Sequence, residues 1–238
     1  MTQRLADGGY AISDELRIPG EGTSNFVFGR GWLLEIVSLT SGAFYFYSDG
    51  REVRPRTKAF GIFYPSFTFV RTFISNVRGR VRGVGAENAL PGLPVTPFIF
   101  ETDFKGDFTK LDEVFEILKS ARERQSIEVN TRPSLPSLRS KRMIDDCYLT
   151  DPSISRIADQ LNVSHEHLSR QFKKDFGLSP SKYLHQLRVA EATFRLSRGE
   201  EIIDISQDVG YNDLSRFYKQ FRKKYDTSPG RCRSSRFE

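Results

Sequence analysis

Histidine and cysteine are scarce in this chain of 238 residues: three of the first, two of the second, and neither between residues 1 and 131. A metal centre built on imidazoles or thiolates therefore has no ligands in the first half. Cys147 and Cys232 are too few and too isolated for a disulfide framework or a zinc knuckle, which fits a reducing compartment. No run of about 18 apolar residues occurs, so no membrane span is expected. The opening MTQRLADGGYAISDELRIPG lacks the apolar centre of a secretory signal. The expectation is a cytoplasmic protein. His165 and His167 stand two apart and face different ways on a helix, whereas helical ligand pairs need a spacing of three or four, and His185 lies elsewhere. No metal is assigned. No nucleophile elbow, phosphate loop or paired-carboxylate constellation stands out either, so the expectation is a protein that is not an enzyme, with no catalytic residue and no cofactor.

The charge has a location. Residues 1–131 hold 16 basic and 16 acidic side chains, while 132–238 hold 20 basic against 14 acidic, so the entire net +6 sits in the second half. A localised positive field is the footprint of a polyanion partner, although a solvated basic face gives the same count.

Two types of pattern divide the chain. From 26 to 100 the segments FVFGRGWLLEIVSL, GAFYFYSDGREV, AFGIFYPSFTFVRTF, VRGRVRGVG and LPGLPVTPFIF alternate with a period of two. Ser48-Asp49-Gly50 punctuates them as a hairpin turn, which predicts an all-β antiparallel sheet or small barrel. Phe104, Phe108, Leu111, Phe115 and Leu118 then fall in one stripe of a helix expected over 104–124. That stripe either covers an open side of the β domain or forms a short two-chain seam, giving a homodimer through helix 104–124. The run NTRPSLPSLRSKR, residues 130–142, reads as linker, with 129–136 as the connection proper. The expected domains are thus 1–128, β-rich with one helix, and 137–238, all-α.

The second half says the same thing twice. In SISRIADQLNVSHEHLSRQFKKDFGLSP, Ser153 can cap a short helix that buries Ile154, Ile157, Ala158 and Leu161. Asn162 tolerates the left-handed turn, and Ser164 can cap a second helix with Leu168 and Phe172 inward. That is a helix-turn-helix, over 153–176. IIDISQDVGYNDLSRFYKQFRKKYDTSP repeats it over 202–225, at an offset of 48 before the turn and 49 after it, with Gly210 as the turn residue and Asp213 as the cap. Between the copies, PSKYLHQLRVAEATFRLSRG carries Tyr183, Leu184, Leu187, Ala190, Phe194 and Leu196 on a connecting helix over 179–197. At 1.5 Å per residue it is about 27 Å long. Two recognition helices enter successive major grooves when about 34 Å apart, so a rod of this kind lets one polypeptide read two adjacent half-sites.

With those phrases in hand, residues 136–233 resemble the DNA-binding domain of AraC/XylS-type bacterial transcription regulators. Ile202, Ile205, Gly210, Tyr211, Ser215, Phe217, Phe221 and Pro229 all fall on the family signature. The sequence departs from it at Ser206, where Ala is usual, at Asp226, where Gly is usual, and at Cys232, where Tyr or Phe is usual. The resemblance implies a cupin-like N-terminal sensor, a linker and a DNA reader. It also implies activation as the commoner mode, with RNA polymerase as a further partner of a protein bound to double-stranded DNA.

Individual roles follow from helix geometry. Glu166, Ser169 and Arg170 point away from Leu168 and Phe172 and are candidates for base contact, Arg170 by bidentate bonding to guanine. The equivalents in the second copy are Leu214, Ser215, Arg216 and Lys219. Lys173, Lys174, Arg222, Lys223 and Lys224 sit near helix ends and are expected on phosphates. In the first half Tyr45, Tyr47, Phe63 and Tyr64, with Arg54 or Arg71 to hold an anion, could line a pocket for a small-molecule effector; a filled core without a ligand reads the same residues equally well. In that second reading the DNA reader is controlled by a protein partner or by abundance.

Overall fold

The computed structural model describes residues 2–48, 51–88, 90–127, 132–150, 152–197, 199–225 and 227–234, the side chains of Thr2, Ser24, Asn25, Phe194, Ser197 and 232–234 apart. Asp49 and Gly50 of the expected hairpin turn, 129–131 of the expected linker, the Phe194 side chain, Asp226 and the Cys232 side chain lie outside the described residues. The chain divides into two compact units, Met1–Thr131 and Arg132–Glu238.

The first unit is an eight-stranded antiparallel sheet in the order β1-β2-β6-β3-β5-β7-β8, with β4 hydrogen-bonded to β3. Its strands are β1 (Thr2–Arg4), β2 (Tyr10–Val27), β3 (Trp32–Ser48), β4 (Arg51–Val53), β5 (Ala59–Tyr64), β6 (Phe69–Ala86), β7 (Phe98–Glu101) and β8 (Arg122–Ser126). Period-two alternation sends neighbouring residues of β3 to opposite faces. Leu34 and Ile36 join Phe63, Val84, Phe98 and Phe100 in one core. Leu33, Val37 and Phe46 join Phe60, Ile62, Tyr64, Val70 and Ile99 in the other.

Three expectations need correction. Residues 10–25 form most of β2, although the alternation that predicts strands begins only at 26. The segment is polar on much of its length, and Pro19-Gly20 looks like a break; both residues fall in a register irregularity between Ile18 and Glu21, where proline costs no ladder bond.

The helix expected over 104–124 is only α1, Glu113–Ser120. The Glu113 carboxylate accepts from the Thr109 and Lys110 N–H groups and the Thr109 hydroxyl, which fixes a non-helical turn ahead of it. After Ala121 the backbone is extended and pairs with β7. The apolar stripe is nonetheless buried in the chain's own core. Phe108, Leu111 and Leu118 belong to the first cluster, with Phe104 and Phe115 packed against it. These side chains are therefore not available for a two-chain seam, and the homodimer through 104–124 loses its basis.

The Pro- and Ser-rich run 130–142 is helical from Leu135, as α2 (Leu135–Cys147). Ser134 caps it by accepting from the Ser137 N–H. Pro136 stands in the first turn, where a missing N–H costs nothing. Fully buried Ser137 and Ser140 replace the apolar period that would have announced a helix.

The second unit continues with a 3-10 turn (Tyr148–Thr150), α3 (Ile154–Gln160), α4 (His165–Phe176), α5 (Pro180–Ser197), α6 (Ile202–Asp208), α7 (Leu214–Tyr225) and α8 (Pro229–Ser234). Helix α5 packs against α2, α4, α6, α7 and α8 and is the spine of the unit.

One carboxyl within the sheet carries a pH consequence. Desolvation raises the Glu35 pKa to about 7 from its ordinary 4.5, against the lowering effect of the Tyr64 hydroxyl that bonds it. Below about 4.5 both folded and unfolded states hold the proton; as pH rises to about 7 only the unfolded carboxyl ionises, so stability falls across that window. Glu35→Gln, which keeps a partner for Tyr64, is expected to flatten this fall, read as a higher urea midpoint of the β unit than wild type above neutrality and a similar one in mild acid.

Candidate nucleic-acid interface

The two helix-turn-helix copies close with the same backbone bonds at an offset of 48. Asn162 N–H meets Asp159 O at 3.0 Å and Val163 N–H meets Ala158 O at 3.1 Å; in the second copy Gly210 N–H meets Gln207 O and Tyr211 N–H meets Ser206 O, both at 2.9 Å. Asn162 and Gly210 both adopt positive φ, 55° and 80°. Ser153 and Ser164 cap α3 and α4 by accepting from Arg156 and His167 N–H groups. Asp213 accepts from the Ser215 N–H at 2.8 Å at the start of α7. Inside, Ile157, Ala158, Leu168 and Phe172 are buried in the first copy, and Ile205, Ser206, Phe217 and Phe221 in the second.

Helix α5 joins the copies through polar groups as well as apolar ones. Arg188, only 2% exposed, donates from Nε to the Tyr148 carbonyl and from Nη1 to the Gly210 carbonyl, each at 2.8 Å. Its guanidinium also lies 5.6 Å from the Tyr211 ring. The Tyr148 hydroxyl donates to Glu191 at 2.9 Å, and Arg195 bridges Glu191 on α5 to Asp208 on α6. On the other side the Tyr183 hydroxyl donates to Asp145 of α2 at 2.6 Å, and Asp175 of α4 accepts from the N–H and hydroxyl of Ser134. Burial pushes the Asp175 pKa up, but the bonds from Ser134, Ser137 and Gln171 outweigh it and hold the carboxyl below its ordinary range. None of Arg188, Glu191 or Tyr148 was singled out from sequence, because a charged residue inside an amphipathic helix reads as solvent-facing. His185 stacks on Tyr211 with its Nδ1 3.3 Å from the phenol oxygen.

With the core side of each helix taken, the opposite side is open. On α4, Glu166, Arg170, Lys173 and Lys174 are exposed and Ser169 half-buried. On α7, Leu214, Ser215, Arg216, Lys219, Arg222 and Lys223 are exposed. Leu214, Ser215, Lys219 and Arg222 line a shallow recess of about 490 Å³ together with Tyr218, which sequence reasoning missed. The i, i+4 spacing of Leu214 and Tyr218 was the available signal. Arg222, expected on phosphate, thus shares a wall with the residues expected on bases.

Lys224 departs from expectation. Its ammonium packs down toward α5, where Nζ donates to the Gln186 carbonyl at 3.4 Å, and desolvation lowers its pKa to about 7. One residue of helical rotation separates it from exposed Lys223, so a run of three basic residues cannot keep all three on one side.

Of the six residues proposed for an effector pocket, Tyr45, Tyr47, Arg54 and Arg71 gather together, the two tyrosine rings 6.1 Å apart, while Phe63 and Tyr64 do not join them. Phe63 and Tyr64, 0% and 3% exposed, fill the two opposite cores of the sheet. Tyr45 and Tyr47 are half-buried elsewhere, with Arg54 over the Tyr45 ring at 4.7 Å and Arg71 over Tyr47 at 5.2 Å. Tyr45 stacks on Phe73 at 4.6 Å. A pocket shared by all six fails because Phe63 and Tyr64, adjacent on β5, face opposite ways into filled cores.

Comparison with known proteins follows this division. A family profile described as a helix-turn-helix domain matches residues 157–235. Over 94 residues the chain is 33% identical to the HTH-type transcriptional activator RhaS of Citrobacter koseri, and 32% identical to RhaS of Escherichia coli O157:H7. Each alignment takes in 39% of this chain and 34% of the relative, so the chain spans about a third of the length of the curated relatives it matches. Over residues 157–235 the C-terminal unit is a helix-turn-helix domain, similar to that of the RhaS activators. The unsaturated fatty acid-bound ToxT of Vibrio cholerae strain SCE256 superposes with a TM-score of 0.58 over 97% of this chain and 96% of that one. At 10% identity that likeness is one of fold, an antiparallel β unit followed by a helical unit.

In this helix-turn-helix unit Gly210 has two reasons to be glycine. Its φ is 80°, and an added Cβ would lie 2.6 Å from Nη2 and 2.7 Å from Cζ of Arg188. Gly210→Ala is expected to cost about 2 kcal/mol or more, and Asn162→Ala, at the equivalent turn without that contact, about 1 kcal/mol. Urea unfolding followed by helical circular dichroism checks the order of the two.

Proposed function

We propose that the protein is a sequence-specific DNA-binding transcription regulator, an activator, in which α4 and α7 read two adjacent major-groove half-sites. The observation that carries this is the duplicated helix-turn-helix: two copies with the same turn bonds, each leaving one basic helix face open. Glu166, Ser169 and Arg170 on α4 and Leu214, Ser215, Arg216 and Lys219 on α7 then face bases. Lys173, Lys174, Arg222 and Lys223 meet phosphates and set the salt dependence. RhaS is named an activator, which supports activation, with RNA polymerase as partner.

The N-terminal unit acts in this reading as a sensing or regulatory module. Its two cores are filled by aromatic and branched side chains, Phe46, Phe60, Phe63 and Ile62 each being essentially inaccessible. That packing supports regulation without a ligand in the sheet interior, through a partner, through abundance, or through a molecule held at the surface.

The test separates base reading from charge. Against a duplex selected from a random library, Arg170→Ala is expected to cost about 1 to 3 kcal/mol on the preferred site and little on random DNA. Lys173→Ala weakens every duplex and lowers the slope of log affinity against log salt by about 0.9. Lys224→Ala leaves that slope unchanged, since its ammonium is turned to α5. Equal losses on selected and random duplexes for Arg170→Ala would count against sequence reading.

A further inference from the structure

The apolar face of the sheet covered by α1 does not run its full length. Along β3, Leu34 and Ile36 give way to Ser38 and Thr40; along β6, Val84 is preceded on the same face by Arg82, Arg80 and Arg78. There the strands border a concavity of about 710 Å³, walled by Ala59 of β5 and by Thr102, Asp103, Phe104 and Lys105 of the segment after β7, with Asp103 turned to Arg122.

The basic side chains in it are ordered by the pleat. Arg78, Arg80 and Arg82 alternate with Gly79 and Val81, so they share a face at intervals of roughly 7 Å. Arg17 of β2 stands directly opposite Arg78 in the register, and Glu15 opposite Arg80. Like charges facing each other across an antiparallel pair oppose folding. Neighbouring carboxylates answer only part of this: Glu15 meets Arg17 at 3.1 Å and Asp107 meets Arg82 at 2.8 Å. Among the described residues, no carboxylate lies within ion-pair distance of Arg78, Arg80 or Lys105.

We propose that this groove binds a small organic polyanion, a molecule with two or more carboxylate or phosphate groups on a compact carbon frame. Guanidinium forks bond both oxyanions bidentately, and a row of them at fixed intervals selects for separated anionic groups. The volume suits a metabolite-sized ligand, with Phe104 as an apolar wall for its carbon. The segment 102–105 closes one side, which makes the row a pocket rather than an open track for a nucleic-acid backbone. The site lies wholly in the N-terminal unit, so it goes beyond the DNA-reading proposal and does not depend on it.

Calorimetric titration of the full chain with citrate and with fructose bisphosphate, using acetate as the reference, tests this. At least one is expected to bind about tenfold or more tighter than acetate, and whichever does identifies carboxylate or phosphate as the preferred group. The exposed double variant Arg78→Gln/Arg80→Gln is expected to lose about tenfold or more of that affinity, with unchanged circular dichroism and unchanged duplex binding. Neither probe outbinding acetate would overturn the proposal, as would undiminished binding by the folded variant. A variant that instead loses duplex affinity, with citrate acting only as bulk salt, would reassign the groove to nucleic acid and overturn it as well.

Discussion

A buried guanidinium ties the second helix-turn-helix to the spine of its unit. Arg188 reaches from α5 to the Gly210 carbonyl in the second turn and to the Tyr148 carbonyl ahead of α3, with the Tyr211 ring beside it. A charge taken out of water must recover its hydration from fixed partners, and main-chain carbonyls are partners that move only if the backbone moves. The turn that aims α7 is thus set by the same atom group that grips the segment leading to α3. Glycine at 210 follows from this contact as much as from its φ.

Around that contact the polar groups of the helical unit form links between elements. Asp175 joins α4 to the cap of α2, Asp145 joins α2 to α5, and Arg195 joins α5 to α6. Apolar packing supplies the larger share of burial, with Phe172, Phe217 and Phe221 wholly enclosed. Yet apolar contacts tolerate sliding, whereas a hydrogen bond at 2.6 to 2.8 Å constrains direction and register. The proposed reading of DNA needs the two helices presented in a fixed relation, and these links are the means on hand.

The β unit follows another logic. Its two faces are each lined with aromatics and branched aliphatics, one of them sealed by α1 and the segment before it. Glu35 among these residues, and the arginine row where the first face ends, are the places where packing is not the whole explanation.

Much of the helical unit was legible from the chain because local rules and tertiary need agreed. Ser153, Ser164, Asn162, Gly210 and Asp213 do what caps and turn residues do anywhere, and the spacing of Leu168 and Phe172 allowed only one inward face. Where long-range contacts decided, reading failed. Residues 104–112 carry a helical stripe but are held out of a helix by Glu113, and Leu111 N–H bonds Asp7, more than a hundred residues away. Polar β2 is a strand because β6 offers it a ladder. Lys224 lies toward α5, and Arg188 within the core, for reasons no window of neighbouring residues contains. The amino-acid order by itself determined two helix-turn-helix units on a rod and a β half before them, since periodicity and capping are local. Only the tertiary structure decided which charges are buried, which are solvated and which line a groove, because that depends on what the rest of the chain places across from them.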